Sequence, residues 1–131
     1  MKVKTLYHTL KDKGNPDYIE DNAPFICNWS NSWLGDGYYF WDTFIENAHW
    51  WGQVRHGNSY IICKAECDFS SELCFDLVGD TEHMKDFADS IQLLKSKKLV
   101  NENTTVARII TFLKDKIPDF KFEAIRVYGI K

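Results

Sequence analysis

Leu34-Gly35-Asp36-Gly37-Tyr38-Tyr39-Phe40-Trp41-Asp42, continuing through Thr43-Phe44-Ile45-Glu46-Asn47-Ala48 to Trp50-Trp51-Gly52, is the stretch on which the reading of this chain turns. Two glycines one residue apart, followed directly by Tyr-Tyr-Phe, describe a tight turn feeding a short strand from Gly37 to Trp41. Such a turn brings bare backbone close to a neighbour and sets a tyrosine at its mouth, which is how a pocket for a flat ring is built. Thr43-Phe44-Ile45-Glu46 has the form of a capping box, in which the threonine hydroxyl and the glutamate carboxylate satisfy each other's free backbone N–H groups. The helix that follows carries Phe44, Ile45, Ala48 and Trp51 on one stripe and is expected to end at Gly52.

Working outward, Lys2 to His8 alternates and predicts a strand. Lys11 to Asn22, with Gly14, Asn15 and Pro16, predicts a loop or a loop with one helical turn. Pro24 to Trp33 is aromatic and Asn/Ser-rich and predicts a wrapping loop. Ser59 to Asp68 alternates as a strand with Ile61, Cys63, Ala65 and Cys67 on one face, and Leu73 to Val78 predicts another. Asp80 or Thr81 caps a helix with Met84, Phe87, Ala88, Ile91 and Leu94 at helical spacing. A further helix is expected from Thr104 to Lys116, with Val106, Ile109, Ile110 and Leu113 inward and Pro118 as its stop. Phe122 to Tyr128 closes as a strand. Strands in runs with helices between them predict an α+β fold rather than a doubly wound sheet. No Gly-rich phosphate loop is present, which speaks against a Rossmann or P-loop protein.

The bulk properties narrow the class. At 131 residues the chain is expected to form one domain, residues 1–131, with a core of its own. The net charge of −3 and the lack of a basic stripe argue against binding a nucleic-acid backbone. Lys95-Ser96-Lys97-Lys98 falls at a helix end, where cations complement the dipole. No apolar run reaches the length of about 18 residues that a membrane span needs, and Met1-Lys2-Val3-Lys4 leads straight into a strand pattern. The expectation is a cytoplasmic protein with Cys27, Cys63, Cys67 and Cys74 as reduced thiols. A metal site from Cys63, Cys67 and Cys74 with His83 is not expected. Residues four apart on a strand lie roughly 13 Å apart, too far for one tetrahedral zinc. All five tryptophans fall between Trp29 and Trp51, which reads either as an aromatic-lined cleft or as a dense local core.

The opening strand ends Leu6-Tyr7-His8-Thr9. Taken with Gly35-Asp36-Gly37-Tyr38-Tyr39-Phe40 some thirty residues later, and with Asn47-Ala48 on the helix beyond, this order and spacing resemble the ADP-ribosyltransferases. The likeness is to the diphtheria-toxin-like and poly(ADP-ribose) polymerase-like branch, whose site is a His–Tyr–Glu set; small uncharacterised bacterial proteins of this compact fold are another likeness. The resemblance implies a compact split sheet, mixed or antiparallel, with flanking helices. It implies NAD as substrate and no metal. His8 would hydrogen-bond a ribose hydroxyl and Tyr39 would stack on the nicotinamide ring. Thr9, Gly37, Tyr38 and Ala48 would line the NAD site. Tyr38 stands where the family usually has an aliphatic residue. The family's glutamate lies on a late strand, and the C-terminal candidate is Glu123 in Phe122-Glu123-Ala124-Ile125-Arg126-Val127-Tyr128. On a strand it would share a face with Ile125 and Val127, partly desolvated as a catalytic carboxylate can be; a strand-end glutamate at the sheet rim has the same pattern.

Breaking the nicotinamide–ribose bond builds positive charge on the sugar, a demand that glycosidases meet with a carboxylate. Tyr39, with Trp41 or Trp50, would supply flat walls, His8 would fix the ribose, and Glu123 would stabilise the charge through a ribose hydroxyl. The acceptor is open: a protein side chain, a base or water. Two other readings stand beside this one. The first is a binding module on the same fold without catalysis, using Trp29, Trp33 and Trp41 against a protein partner. The second is a small hydrolase or nuclease with His8 or His49 as general base. His56, beside Gly57-Asn58, reads as a hairpin residue.

Overall fold

The structure, a computed structural model, describes residues 3–27, 34–70, 72–116 and 120–128. Among them it forms four helices, one antiparallel sheet and one parallel pair, an α+β arrangement. The chain divides into two compact units, one of Met1–Asn28 with Asp36–Asp68 and one of Trp29–Gly35 with Phe69–Lys131.

The first unit is built on β1 (Val3–Lys11), which runs three residues past the expected end at His8. It lies between β2 (Trp41–Asp42) and β3 (Tyr60–Asp68), antiparallel to both. Alternation along β1 sends Leu6 and His8 to one face, where both are buried. Thr9 goes to the other face, and its hydroxyl donates to the Ala48 carbonyl of α2 (Ile45–His56) at 3.0 Å. The segment from Lys11 to Asn22, expected as a loop or a loop with one helical turn, holds α1 (Pro16–Asn22), about two turns long, opened by Pro16 in the first turn and anchored by buried Ile19.

The expected strand from Gly37 to Trp41 is shorter than its sequence pattern. Gly37 makes an isolated bridge with Cys27, and regular pairing begins only at Trp41. The expected capping box does not form. Thr43 adopts φ +68°, and the Phe44 N–H donates to the Asp42 carbonyl at 2.7 Å, closing a three-residue γ-turn. The Thr43 hydroxyl then faces Asp42 rather than the helix, and Phe44 becomes the N-cap with no side-chain bond. Phe44 and Ile45 are exposed, while the buried stripe of α2 is Ala48 and Gly52. The helix does not stop at Gly52 but runs to His56 and ends on Gly57, which takes φ +66°. On β3, Ala65 and Cys67 are exposed although they alternate with Ile61 and Cys63.

The second unit joins β4 (Cys74–Asp76) and β5 (Ala124–Arg126) in a parallel pair, both shorter than the patterns around them. Asp80 caps α3 (Thr81–Ser96) by accepting from Glu82 and His83 N–H at 3.0 and 3.1 Å. Leu94 of α3, Val100, and Ile109 and Leu113 of α4 (Val106–Lys116) form the core, with Phe87, Ile91, Phe112 and Phe120 against it. Ala88 and Val106, expected inward, are exposed. The expected stop at Pro118 lies outside the described residues.

Candidate functional site

His8 is fixed in the first unit by two main-chain groups. Its Nε2 accepts from the Phe25 N–H at 3.2 Å, and its Nδ1 lies 2.7 Å from the Tyr39 carbonyl oxygen. An amide N–H can only donate and a carbonyl can only accept, so the ring is neutral with its proton on Nδ1. The ring is buried and tilted against Phe40, centroids 5.3 Å apart. Burial pushes the imidazole below its ordinary value, against the opposing pull of the Tyr39 carbonyl.

The bond to Tyr39 ties the opening strand to the segment after the double-glycine turn. Gly35 needs to be glycine, with φ +90°. Gly37 has no positive φ, and a Cβ there would meet no described atom within 4 Å. It exchanges two backbone bonds with Cys27, at 2.7 and 3.0 Å. Tyr38 is exposed and Tyr39 half-buried. Thr9 and Ala48 face each other on the opposite side of β1 from His8, and Ala48 has no exposed surface. They let α2 lie close on the sheet. Trp41 meets Trp50 edge-on at 6.1 Å, and Trp50 lies 6.1 Å from Trp51, so three of the five tryptophans form one half-buried cluster. Trp29 and Trp33 lie outside the described residues.

Glu123 belongs to the second unit. It stands one residue ahead of β5 rather than on it, its N–H donating to the Leu73 carbonyl at 2.9 Å, and its side chain is exposed rather than partly desolvated. His49 is exposed and hydrogen-bonds the Tyr60 hydroxyl at 2.8 Å. His56 is the last residue of α2, not part of a hairpin turn. Among the described residues no three His, Cys, Asp or Glu side chains are placed to hold a metal ion. No described helix is long and apolar enough to cross a membrane.

Two arrangements escaped the sequence reading. Phe25 covers His8 through a main-chain N–H, which no side-chain pattern reports. Asp76, buried in the second unit, accepts from Val78 and Gly79 N–H at 2.9 Å each and from Arg126 Nη1 at 3.2 and 3.3 Å. Burial alone would raise its carboxyl, but the two amides and the guanidinium outweigh it and hold it below the usual carboxylate range. The signal was present as Asp76 three residues ahead of Gly79, the spacing of a side chain that closes its own turn.

Among known proteins, the chain is similar to an uncharacterised protein of Methanocaldococcus jannaschii, 30% identical over 100 residues. The match takes in 72% of this chain, which spans about half the relative's length (46%). No family model and no solved structure matches.

Proposed function

We propose that the chain carries out NAD-dependent ADP-ribosyl transfer, or NAD glycohydrolysis, with His8 and Tyr39 at the nicotinamide-ribose end of the substrate. The support is the family order of His8, Gly35-x-Gly37-x-Tyr39-Phe40 and Ala48. The observation that carries it is the 2.7 Å bond between the His8 ring and the Tyr39 carbonyl, which holds the two in one place. With the proton on Nδ1, Nε2 is an acceptor. A ribose hydroxyl would therefore donate to it, taking the place of the Phe25 N–H. Tyr39 would stack on nicotinamide, a ring contact worth about 0.5–1.5 kcal/mol. Positive charge developing on the sugar would call for a carboxylate partner. The finer fold assignment, a split-sheet ADP-ribosyltransferase fold, belongs to the same proposal.

A second reading, a protein-binding module on the same fold, draws on one observation: both nitrogens of His8 are already engaged by the chain itself. One experiment separates the two. Incubated with NAD, the enzyme releases nicotinamide, and Tyr39→Ala abolishes that release. A binding module releases none, and NAD leaves its melting temperature unchanged.

A further inference from the structure

Among the described residues β3 is an edge of the antiparallel sheet: β1 pairs one side of it and no strand pairs the other. The Asp12 N–H donates to the Ser59 carbonyl at 2.9 Å, in register with the β1–β3 pairing, and this fixes the phase of the ladder. Odd-numbered residues of β3 turn their main-chain groups to β1, so Ile62, Lys64 and Glu66 turn theirs to the open edge. The far half of the strand is bare as well. From Lys64 to Asp68 every residue is exposed, on both faces of the sheet. Tyr60, against Gly52 of α2, marks the end that is covered. An open edge of this kind is a template for another strand unless its side chains forbid it. Charges of a single sign would forbid it in every register. Here Lys64 and Glu66 have opposite signs, point to one face on either side of Ala65, and make no ion pair among the described residues.

We infer that this edge is an interface for a second copy of the chain, the two β3 strands pairing antiparallel about a two-fold axis at Ala65. The ladder phase requires outward-turned residues to meet outward-turned residues, so the axis must pass through a single residue. At Lys64 or at Glu66 it would set a charge against its own copy, and at Cys63 it would set Lys64 against Ile62. At Ala65 alone each Lys64 lies opposite the second copy's Glu66, and each Glu66 opposite the second copy's Lys64, two favourable cross-strand pairs. Ala65 then meets Ala65 in a non-hydrogen-bonded pair, where the strands approach to about 4.5 Å between Cα atoms and a small side chain fits. The contact is isologous and closes on itself. It joins two three-stranded sheets into one continuous sheet. The same register sets Cys63, a half-buried thiol, opposite the exposed Cys67 of the second copy. That pair is also non-hydrogen-bonded, and its Cα separation of about 4.5 Å lies within the span a disulfide bridges. Within one chain the two thiols are roughly 13 Å apart along the strand and cannot join.

The test is sedimentation equilibrium of the reduced full chain from about 10 µM to about 1 mM, the range in which a small interface associates. A monomer–dimer equilibrium is expected. Glu66→Lys sets Lys against Lys at both pairs and should weaken the dimer at least tenfold. Lys64→Glu combined with Glu66→Lys restores opposite charges in the same register and should return the dimer to within about threefold of wild type. Both positions are exposed, so these variants keep the fold. A second readout fixes the register. Diamide takes two electrons and two protons from a pair of thiols, and it should link two chains through Cys63 and Cys67, identified by peptide mass. Cys63→Ser alone and Cys67→Ser alone should each lose that link, and a mixture of the two variants should regain it. A chain that stays monomeric throughout, a dimer indifferent to Glu66→Lys, a charge swap that restores nothing, or a mixture that fails to form the link would each overturn the proposal.

Discussion

The His8 ring donates through Nδ1 to the carbonyl of Tyr39, 31 positions along the chain, at 2.7 Å. That bond, with the Phe25 N–H on the opposite nitrogen, makes the imidazole a pin joining β1 to two segments that lack regular structure of their own. The Phe25 N–H is held only by a neutral His8, while the bond to the Tyr39 carbonyl survives protonation of the ring.

His8→Ala should therefore destabilise the protein beyond the loss of a small buried ring. It leaves the Tyr39 carbonyl and the Phe25 N–H without their partner, at about 1–3 kcal/mol for each unsatisfied group. A total loss of about 2–6 kcal/mol is expected in urea unfolding. A loss below about 0.5 kcal/mol would mean that the loops hold their places without the ring.

The pH dependence of that difference has a fixed sign. Burial lowers the folded-state value of His8 below the unfolded one, near 6.5. The unfolded chain then binds the proton more readily, so the stability His8 contributes is complete above about pH 6.5 and declines as pH falls toward the folded value. The gap in unfolding free energy between wild type and His8→Ala should narrow between pH 7 and pH 5. A gap that widens on acidification would contradict a neutral, buried ring.

The parts of this fold legible in sequence are those written in side-chain periodicity. β3, and α3 with its Asp80 cap, lie within a residue or so of the expected bounds, because alternation and a cap are local signals. Elements set by main-chain geometry were not legible. Thr43 followed by Glu46 has the composition of a capping box, yet the turn from β2 into α2 puts Thr43 at φ +68° and turns its hydroxyl away. Gly52 looks like a helix stop, yet it is a helix-interior contact with a strand residue eight positions on, which no local pattern encodes. In the candidate site, His8 and the Tyr39 segment were recognisable by order and spacing. The Phe25 amide over the ring was not, since an N–H belongs to every residue but proline.

Thr43 carries a strain that its side chain makes worse. A β-branched residue at φ +68° is disfavoured by about 1–2 kcal/mol. Thr43→Gly removes that, but it adds about 0.5–1 kcal/mol of backbone freedom to the unfolded chain. The expected outcome is a stability equal to wild type or up to about 1 kcal/mol higher, measured by urea unfolding. Substantial destabilisation would show that the hydroxyl contact with Asp42 outweighs the strain.

The buried pair in the second unit separates charge from hydrogen bonding. Asp76→Asn retains an oxygen for the Val78 and Gly79 N–H groups but removes the carboxylate charge that faces the Arg126 guanidinium. Breaking a fully buried pair costs about 3–5 kcal/mol; the Arg126 side chain is 23% exposed, so about 2 kcal/mol is expected here. Because the folded-state value of Asp76 is lowered, its contribution is present above the unfolded value, near 3.9, and is lost as pH falls through the folded one. Wild type and variant should thus differ at pH 7, and the difference should shrink as pH falls below the unfolded value.

Gly52→Ala should have opposite signs in two backgrounds. A Cβ at position 52 would stand 2.5 Å from Cγ and Cδ2 of Tyr60 and 2.7 Å from Cδ1, so the ring or the helix must move. Alanine favours a helix interior over glycine by about 1 kcal/mol, but forcing an atom into a filled site costs about 1–3 kcal/mol. The ring cannot yield freely, because its hydroxyl is bonded to His49 one turn earlier on the same helix. A net loss of about 1 kcal/mol is expected in the wild-type background. In Tyr60→Ala the obstruction is gone, and the same substitution should stabilise by up to about 1 kcal/mol. A thermal-unfolding double-mutant cycle reads the reversal directly. If Gly52→Ala stabilises in both backgrounds, the ring of Tyr60 does not rest on the helix backbone.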